Sequence, residues 1–403
     1  MTNIAALRAG RIVTVGRAKT IRDGVVVVKD GLIDAVGTAA DFGSALDGLP
    51  MESYPDKVLS PGLIDCHSHL FEYAAATVHP VTAATHTASV EALLLHALSC
   101  GITSIGDHIC GFPGYSIDAE SVLASAKRAC IRTRAALCTI SLGSEPPFNL
   151  SALTGNAPIA REQFFDAILL DKLIALSTFP GENVFITATP GNLPLSQMPN
   201  SGKLMYSLSE LRSVADAYHA AGKRLGAHVG GEAGIDLALN AGIDVLHHAH
   251  GMSEKQMARA KKAGVPVVDT PLGGTHLPPR PPENVETLVD SGLIVSIATD
   301  AYLPAPKGMT GLVPDKLYGP EALMAIAAPS LRLMHAHGRD ENDCLALLTK
   351  NPAAVLGLAG KIGEITPGAC ADLVVADGVP ALELTDTSGV RAVYCAGVRV
   401  IAR

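Results

Sequence analysis

The sequence predicts an α/β fold, a (β/α)8 TIM barrel with a small β-sandwich domain built from both chain ends. Three observations carry this expectation. The middle of the chain repeats one phrase, a helical stretch closed by a small residue plus glycine and followed at once by a β-branched run: LSCGITSIGD, HAAGKRLGAHV, LNAGIDVLHH, KKAGVPVVDT and VDSGLIVSIATD. Both ends read instead as short alternating strands with tight turns. Several connections that follow strands are long and rich in proline and glycine, as loops at the C-terminal mouth of such a barrel are.

In chain order, residues 4–58 hold RIVTV and then GVVVVKDGLIDAVG, with Lys29-Asp30-Gly31 placed between two β-rich runs as a hairpin turn is. LIDCH at 63–67 starts the barrel. RTRAALCTIS at 132–141, VFITAT at 184–189 and the strands of the five repeated phrases bring the total to eight over about 300 residues, the number and spacing of a (β/α)8 barrel. Gly101, Gly222, Gly242, Gly264 and Gly292 stand where a helix closes on a left-handed residue. A doubly wound open sheet is the rival, and it requires a glycine-rich phosphate turn after an early strand; the sequence has none. Residues 362–403 return to strand-and-turn text. The expected division is therefore 1–59 plus 357–403 for the sandwich and 60–356 for the barrel. The loops GSEPPFNLSALTGNAPIA, PGNLPLSQMPNSGKLMY, PLGGTHLPPRPPEN and AYLPAPKGMTGLVPDKLYGP should form the substrate pocket.

Composition narrows the function classes. The 403 residues are 48% hydrophobic and 17% charged, enough apolar side chain for a large core, which excludes a disordered chain. A formal net charge of −8 without a Lys/Arg stripe argues against nucleic acid and anionic membrane surfaces and leaves a small molecule as the expected partner. The first residues lack the blocks of a signal peptide, and no apolar run approaches the roughly 20 residues of a membrane span, so a cytoplasmic location is expected. Eight cysteines without a CxxC pair read as reduced thiols.

The chemistry is concentrated in Pro61-Gly62-Leu63-Ile64-Asp65-Cys66-His67-Ser68-His69. At strand spacing, residues i and i+2 face the same way, so His67 and His69 project together from the end of the first barrel strand, as two imidazoles on one cation must. Equivalent strand ends carry His228, His248 and Asp300, and the last strand closes the barrel against the first. Such nitrogen and oxygen donors suit zinc, with iron, manganese or cobalt as alternatives. On the sixth strand His247, His248 and His250 compete; alternation turns His247 away from the interior if His248 faces in. His108, beside Asp107 at the second strand end, is a candidate for contact with substrate or with a ligand. Arg280 and Lys307 in mouth loops can meet a carboxylate or stay solvated. Tyr206 and Tyr302 are candidate pocket walls or loop anchors.

These motifs resemble the amidohydrolase superfamily of metal-dependent hydrolases over nearly the whole length. PGLIDCHSHL resembles its first-strand motif, His228 and His248 stand where its fifth- and sixth-strand ligands do, ATD ending at Asp300 resembles its eighth-strand aspartate, and NPAAVLGLAGKIGEITPGACADLVVAD resembles its re-entry into the flanking β domain. The stretch from Val184 to Gly231 is similar to the prolidase-like and Xaa-Arg-dipeptidase-like branch, and the text around HVGG and TDA to the enamidase-like branch. The resemblance implies a metal set of His67, His69, His228, His248 and Asp300, with Asp300 and His248 catalytic. Phe185 stands where a bridging lysine is usual, and no Lys or Glu lies from Val184 to Leu195, so one and two metals per chain are both open. A cytosine-deaminase-like branch usually places a glutamate three residues after the fifth-strand histidine; here Glu232 follows His228 by four. The expected activity is hydrolysis of a non-peptide C–N bond, in a cyclic amide, lactam or small N-acyl compound, by metal-activated water. His108, Tyr302, Glu232 and Arg280 are the expected substrate contacts. An aminohydrolase of a nitrogen heterocycle and a non-catalytic barrel scaffold are the alternatives, and a homo-oligomer is what the family implies.

Overall fold

The valine run of the N-terminal text is buried on both faces, and this sets the first sheet. The structure is a computed structural model that describes residues 4–109, 119–139, 166–176, 182–189, 202–271, 279–301 and 319–403. Strands β1 (Ile4–Val13), β2 (Thr20–Lys29), β3 (Leu32–Thr38) and β4 (Met51–Pro61) meet β13 (Leu373–Ala376), β14 (Val390–Cys395) and β15 (Val398–Ala402) in one seven-stranded sheet of order β15-β14-β13-β4-β1-β2-β3. On β2, Val26 and Val28 enter an apolar cluster with Leu7 and Ile33 from the N-terminal end and Leu373, Val375, Ala392 and Tyr394 from the C-terminal end. The intervening Val25 and Val27 pack on the other face with Ala6. The period-2 alternation of a strand accounts for the split.

Strand β4 connects the two parts. Its end pairs antiparallel with β13, from Val58 to Pro61, and after Gly62 the chain enters the second sheet directly. That sheet holds β5 (Leu63–Ser68), β6 (Ile102–Ile109), β7 (Arg132–Thr139), β8 (Glu182–Thr187), β9 (Arg224–Gly230), β10 (Val245–His250), β11 (Val267–Asp269) and β12 (Val295–Ile297), all parallel and side by side in chain order. Past β12 the chain returns to β5. Asp300 N donates to His67 O at 2.9 Å, His69 N donates to Ala301 O at 3.2 Å, and a parallel bridge joins Ser68 and Ala301. This is the expected (β/α)8 strand order, with β12 and β5 linked through residues 300 and 301 and not by a strand ladder. Gly242 and Gly264 close their helices at φ +86° and +69°, a region that a Cβ disfavours, and Gly101, Gly222 and Gly292 share the positive φ.

The N-terminal floor of the barrel is apolar: Ile64, Cys66, Val245, Val268 and Ala298 pack with Ala353, Val355, Leu356, Leu358 and Ile362. Among the described residues no helix is long and apolar enough to cross a membrane.

An ion pair between a half-buried arginine and a buried aspartate ties barrel to sheet. Arg132 Nε donates to Asp372 Oδ2 at 2.6 Å, and Asp372 Oδ1 accepts from Ala396 N at 2.8 Å. The Arg132→Ala change leaves a buried carboxylate short of its cationic partner, so unfolding in urea should show a loss of about 1–3 kcal/mol.

Candidate metal centre

The C-terminal ends of β5, β6, β10 and β12 bring six buried polar side chains together: His67, His69, His108, His247, His248 and Asp300. His67 Nε2 lies 3.2 Å and His69 Nε2 3.4 Å from the same oxygen, Asp300 Oδ1. Donor atoms of His67, His248 and Asp300 all lie within 4.8 Å of one another, a set that could hold one metal ion. The His228 ring, half-buried on β9, is 4.4 Å from that of His248, and the His108 ring is 4.3 Å from His67 and 5.8 Å from His69. Asp300 itself has φ +51°, a conformation that aspartate tolerates better than most residues.

Neighbouring groups hold these side chains in place. Asp65 accepts from Thr299 Oγ1 at 2.5 Å and Thr299 N at 3.2 Å, which anchors the strand that carries His67 to the segment that carries Asp300. Asp107 Oδ2 accepts from Ser68 Oγ at 2.9 Å and Leu70 N at 2.7 Å and fixes the backbone on both sides of His69. His248 Nδ1 is 2.8 Å from Thr270 Oγ1.

One expectation is corrected. Strict alternation requires His247 to face away if His248 faces in, yet both rings approach His67, with centroids at 4.7 Å and 4.9 Å. The strand is not regular there. His248 and Ala249 adopt φ +69° and +47°, and the register with β9 shifts between His248 and His250, so an irregularity of the bulge type brings two consecutive side chains to one side. His250 Nε2 lies 3.9 Å from Asp269 Oδ1 instead.

Glu182 was not among the expected site residues. It opens β8, is buried, and lies 3.0 and 3.2 Å from His247 Nε2 through its two oxygens. The one sequence signal for it is Gly226, mid-strand on β9: a Cβ there would fall 1.6 Å from Glu182 Oε1 and 2.8 Å from His247 Nε2.

Burial dominates the protonation states. It pushes His67 down to about 4, His247 to about 3 and His250 to about 4, and takes His108 and His248 well below their ordinary value. Burial raises Asp65 to about 6, Asp269 to about 6 and Glu182 to about 8. Burial would raise Asp300 too, but the surrounding His67, His69 and His248 hold it well below the usual carboxylate range. Neutral imidazoles thus surround an ionised carboxylate at neutral pH. On unfolding, each imidazole returns to about 6.5 and takes up a proton below that pH, so its contribution to stability falls as the pH drops from about 6.5 toward 4. The three raised carboxyls act in the opposite sense, since the folded chain keeps protons that the unfolded chain releases. Five imidazoles outweigh three carboxyls. Metal-free protein should therefore melt at a lower temperature at pH 4.5 than at pH 6.5.

The remaining expected residues are distributed more widely. Glu232 is exposed on the first turn of the helix Gly231–Ala241, where its backbone carbonyl accepts from Gln256 Nε2 at 2.8 Å; the structure does not bring it into the histidine cluster. Arg280 Nη2 donates to Asn284 Oδ1 at 2.7 Å, and Asn284 Nδ2 to Asp269 Oδ2 at 3.0 Å, so Arg280 is tied to the end of β11. Tyr206 is buried in the apolar core. Phe185 lies in β8 in register with Gly226. Tyr302 and Lys307 lie outside the described residues.

The donor set fits a transition-metal ion: clustered imidazoles and one ionised carboxylate, the nitrogen and oxygen ligation that zinc and its first-row neighbours accept. The model of the Amidohydrolase family matches residues 58–400. The chain belongs to the amidohydrolase family. As such it is a metal-dependent hydrolase of carbon–nitrogen bonds, as the sequence resemblance implied. An imidazolonepropionase of Rhizorhabdus wittichii is 27% identical over 396 residues, spanning 89% of this chain and 88% of that protein. An imidazolonepropionase of Ralstonia nicotianae is 25% identical over 393 residues, spanning 88% and 86%. Among solved structures, A. niger ochratoxinase is similar with a TM-score of 0.73 at 18% identity, covering 100% of this chain and 96% of its own. A Xaa-Pro dipeptidase with bound methionine in its active site gives 0.71 at 18% identity, covering 98% and 99%. At these identities the structural likeness establishes the fold, a barrel with its sheet domain.

Proposed function

We propose that this amidohydrolase opens a non-peptide C–N bond, in a cyclic amide, lactam or small N-acyl compound, with a ring amide of the imidazolone type as the leading substrate class. The observation that carries the reading is the convergence of His67 Nε2 and His69 Nε2 on Asp300 Oδ1 beside His248. The end-to-end similarity to imidazolonepropionases directs it toward ring amides. His67, His69, His228, His248 and Asp300 would hold one or two ions, zinc first, with iron, manganese or cobalt as alternatives. When bound, such an ion polarises a carbonyl and lowers the pKa of water toward ~7.

The chain's own residues supply the rest. Asp300, ionised and aimed into the cluster, accepts the proton of the attacking water and returns it to the departing ring nitrogen, which serves as base and acid in turn. His248, whose Nδ1 lies 2.8 Å from Thr270 Oγ1, would hydrogen-bond the substrate carbonyl oxygen or ligate a second ion. His108 contacts the substrate from the β6 side.

The test is a panel assayed with metal-replete protein: imidazolones, hydantoins, lactams, N-acyl amino acids, Xaa-Pro dipeptides and aminated heterocycles. Ring opening or deacylation without ammonia release is the expected result. Cleavage confined to dipeptides, or ammonia from an aminated ring, would replace the proposal.

A further inference from the structure

We propose that Glu182 and His247 are positioning residues that set the ring orientation and the tautomer of His67 through a buried hydrogen-bonded chain inside the barrel. The proposal rests on the reading of His67 as a metal ligand through Nε2.

Three side chains from three strands lie in series. His67 Nδ1 is 2.6 Å from His247 Nδ1, and His247 Nε2 is 3.0 and 3.2 Å from the two oxygens of Glu182. Donor atoms of His67, His108 and His247 also lie within 4.8 Å of one another, so a second metal is the alternative occupant of this space. For an ion held by both Nδ1 atoms the 2.6 Å separation is too short. Two nitrogens bound tetrahedrally to one ion at 2.0–2.1 Å lie ~3.3 Å apart, whereas 2.6 Å is the span of a short hydrogen bond with one proton in it.

The direction of that bond then follows. His67 Nε2 faces Asp300 Oδ1 and must be bare to act as a ligand, so the neutral ring carries its proton on Nδ1 and donates it to His247 Nδ1. His247, accepting at Nδ1, carries its own proton on Nε2 and donates it to Glu182. Either carboxyl oxygen can accept, so the assignment does not depend on the ionisation of Glu182. This arrangement leaves His67 Nε2 free for a cation. A hydrogen-bonded acceptor behind a ligating histidine fixes its tautomer and restrains its ring.

Two features of the backbone make room for the chain. The irregularity at His248 and Ala249 lets His247 and His248 both face His67. Gly226 clears the volume that Glu182 occupies.

The experiment compares wild type, Glu182→Leu, Glu182→Gln and Gly226→Ala, each stripped of metal and titrated with cobalt(II) against a chelator. The visible spectrum of the cobalt form reports ligand geometry, and circular dichroism of the metal-free proteins reports folding. Glu182→Leu and Gly226→Ala should bind cobalt ~10–100-fold more weakly and shift its absorption bands. Glu182→Gln, whose amide oxygen still accepts from His247, should stay within a few-fold of wild type with an unshifted spectrum. Folded Glu182→Leu and Gly226→Ala with wild-type affinity and spectrum would overturn the positioning role alone. Wild-type protein that binds neither cobalt nor zinc would overturn the metal-ligand reading on which it rests.

Discussion

Replacing Asp300 with asparagine should lower kcat on the ring-amide substrate by a factor of about 10³, within the ~10²–10⁴ that a positioned general acid–base is worth. Asparagine keeps the volume and accepts the left-handed backbone that Asp300 adopts at φ +51°. The bond from the residue 300 N–H to His67 O is also kept, so this link between the two ends of the barrel sheet survives. What is lost is the negative charge that His67 and His69 face at 3.2 and 3.4 Å, and with it the site that takes a proton from water and returns it to the leaving nitrogen. Steady-state kinetics on the purified variant, with circular dichroism to establish folding, checks the result. A kcat within threefold of wild type would remove Asp300 from the chemistry.

The second large effect is expected at His69. His69→Ala should weaken metal binding by more than ~100-fold, beyond the ~10–100-fold typical of residues that only support a ligand, and should reduce activity to that of the metal-free protein. The backbone at this point is held independently of the imidazole, by Asp107 bonded to Ser68 Oγ and Leu70 N and by His69 N bonded to Ala301 O. The variant should therefore fold, and a chelator-competition titration isolates the contribution of the ring. The supplementation experiment has a definite sign: millimolar zinc or cobalt should restore part of the activity of His69→Ala, because the four other proposed ligands, His67, His228, His248 and Asp300, stay in place, and none of that of Asp300→Asn.

Much of this was legible in the residues themselves. The repeated helix–glycine–strand phrase places Gly242 and Gly264 at the left-handed helix ends where the structure has them, and the period-2 spacing of His67 and His69 suffices to send both toward Asp300. The orientation of His247 was not legible, because the alternation rule holds only while the strand is regular and the positive φ at His248 and Ala249 breaks it without a glycine or proline to signal the break. Glu182 lies at the first position of β8, where a charged residue reads as a solvated strand start; its burial is set by partners on β9 and β10, distant in sequence. Gly226 does carry a signal, a glycine within a strand, but the identity of the group that needs the space follows only from the packed barrel. Tyr302 and Lys307, two expected pocket residues, lie outside the described residues.

Elemental analysis of purified wild-type protein beside His67→Ala tests the central claim most directly, since every functional statement depends on a cation held at this cluster. Stoichiometric zinc, or iron, manganese or cobalt in its place, in wild type and its loss from folded His67→Ala is the predicted result. Wild-type protein without metal after supplementation, or a His67→Ala variant that retains the full amount, would contradict the account.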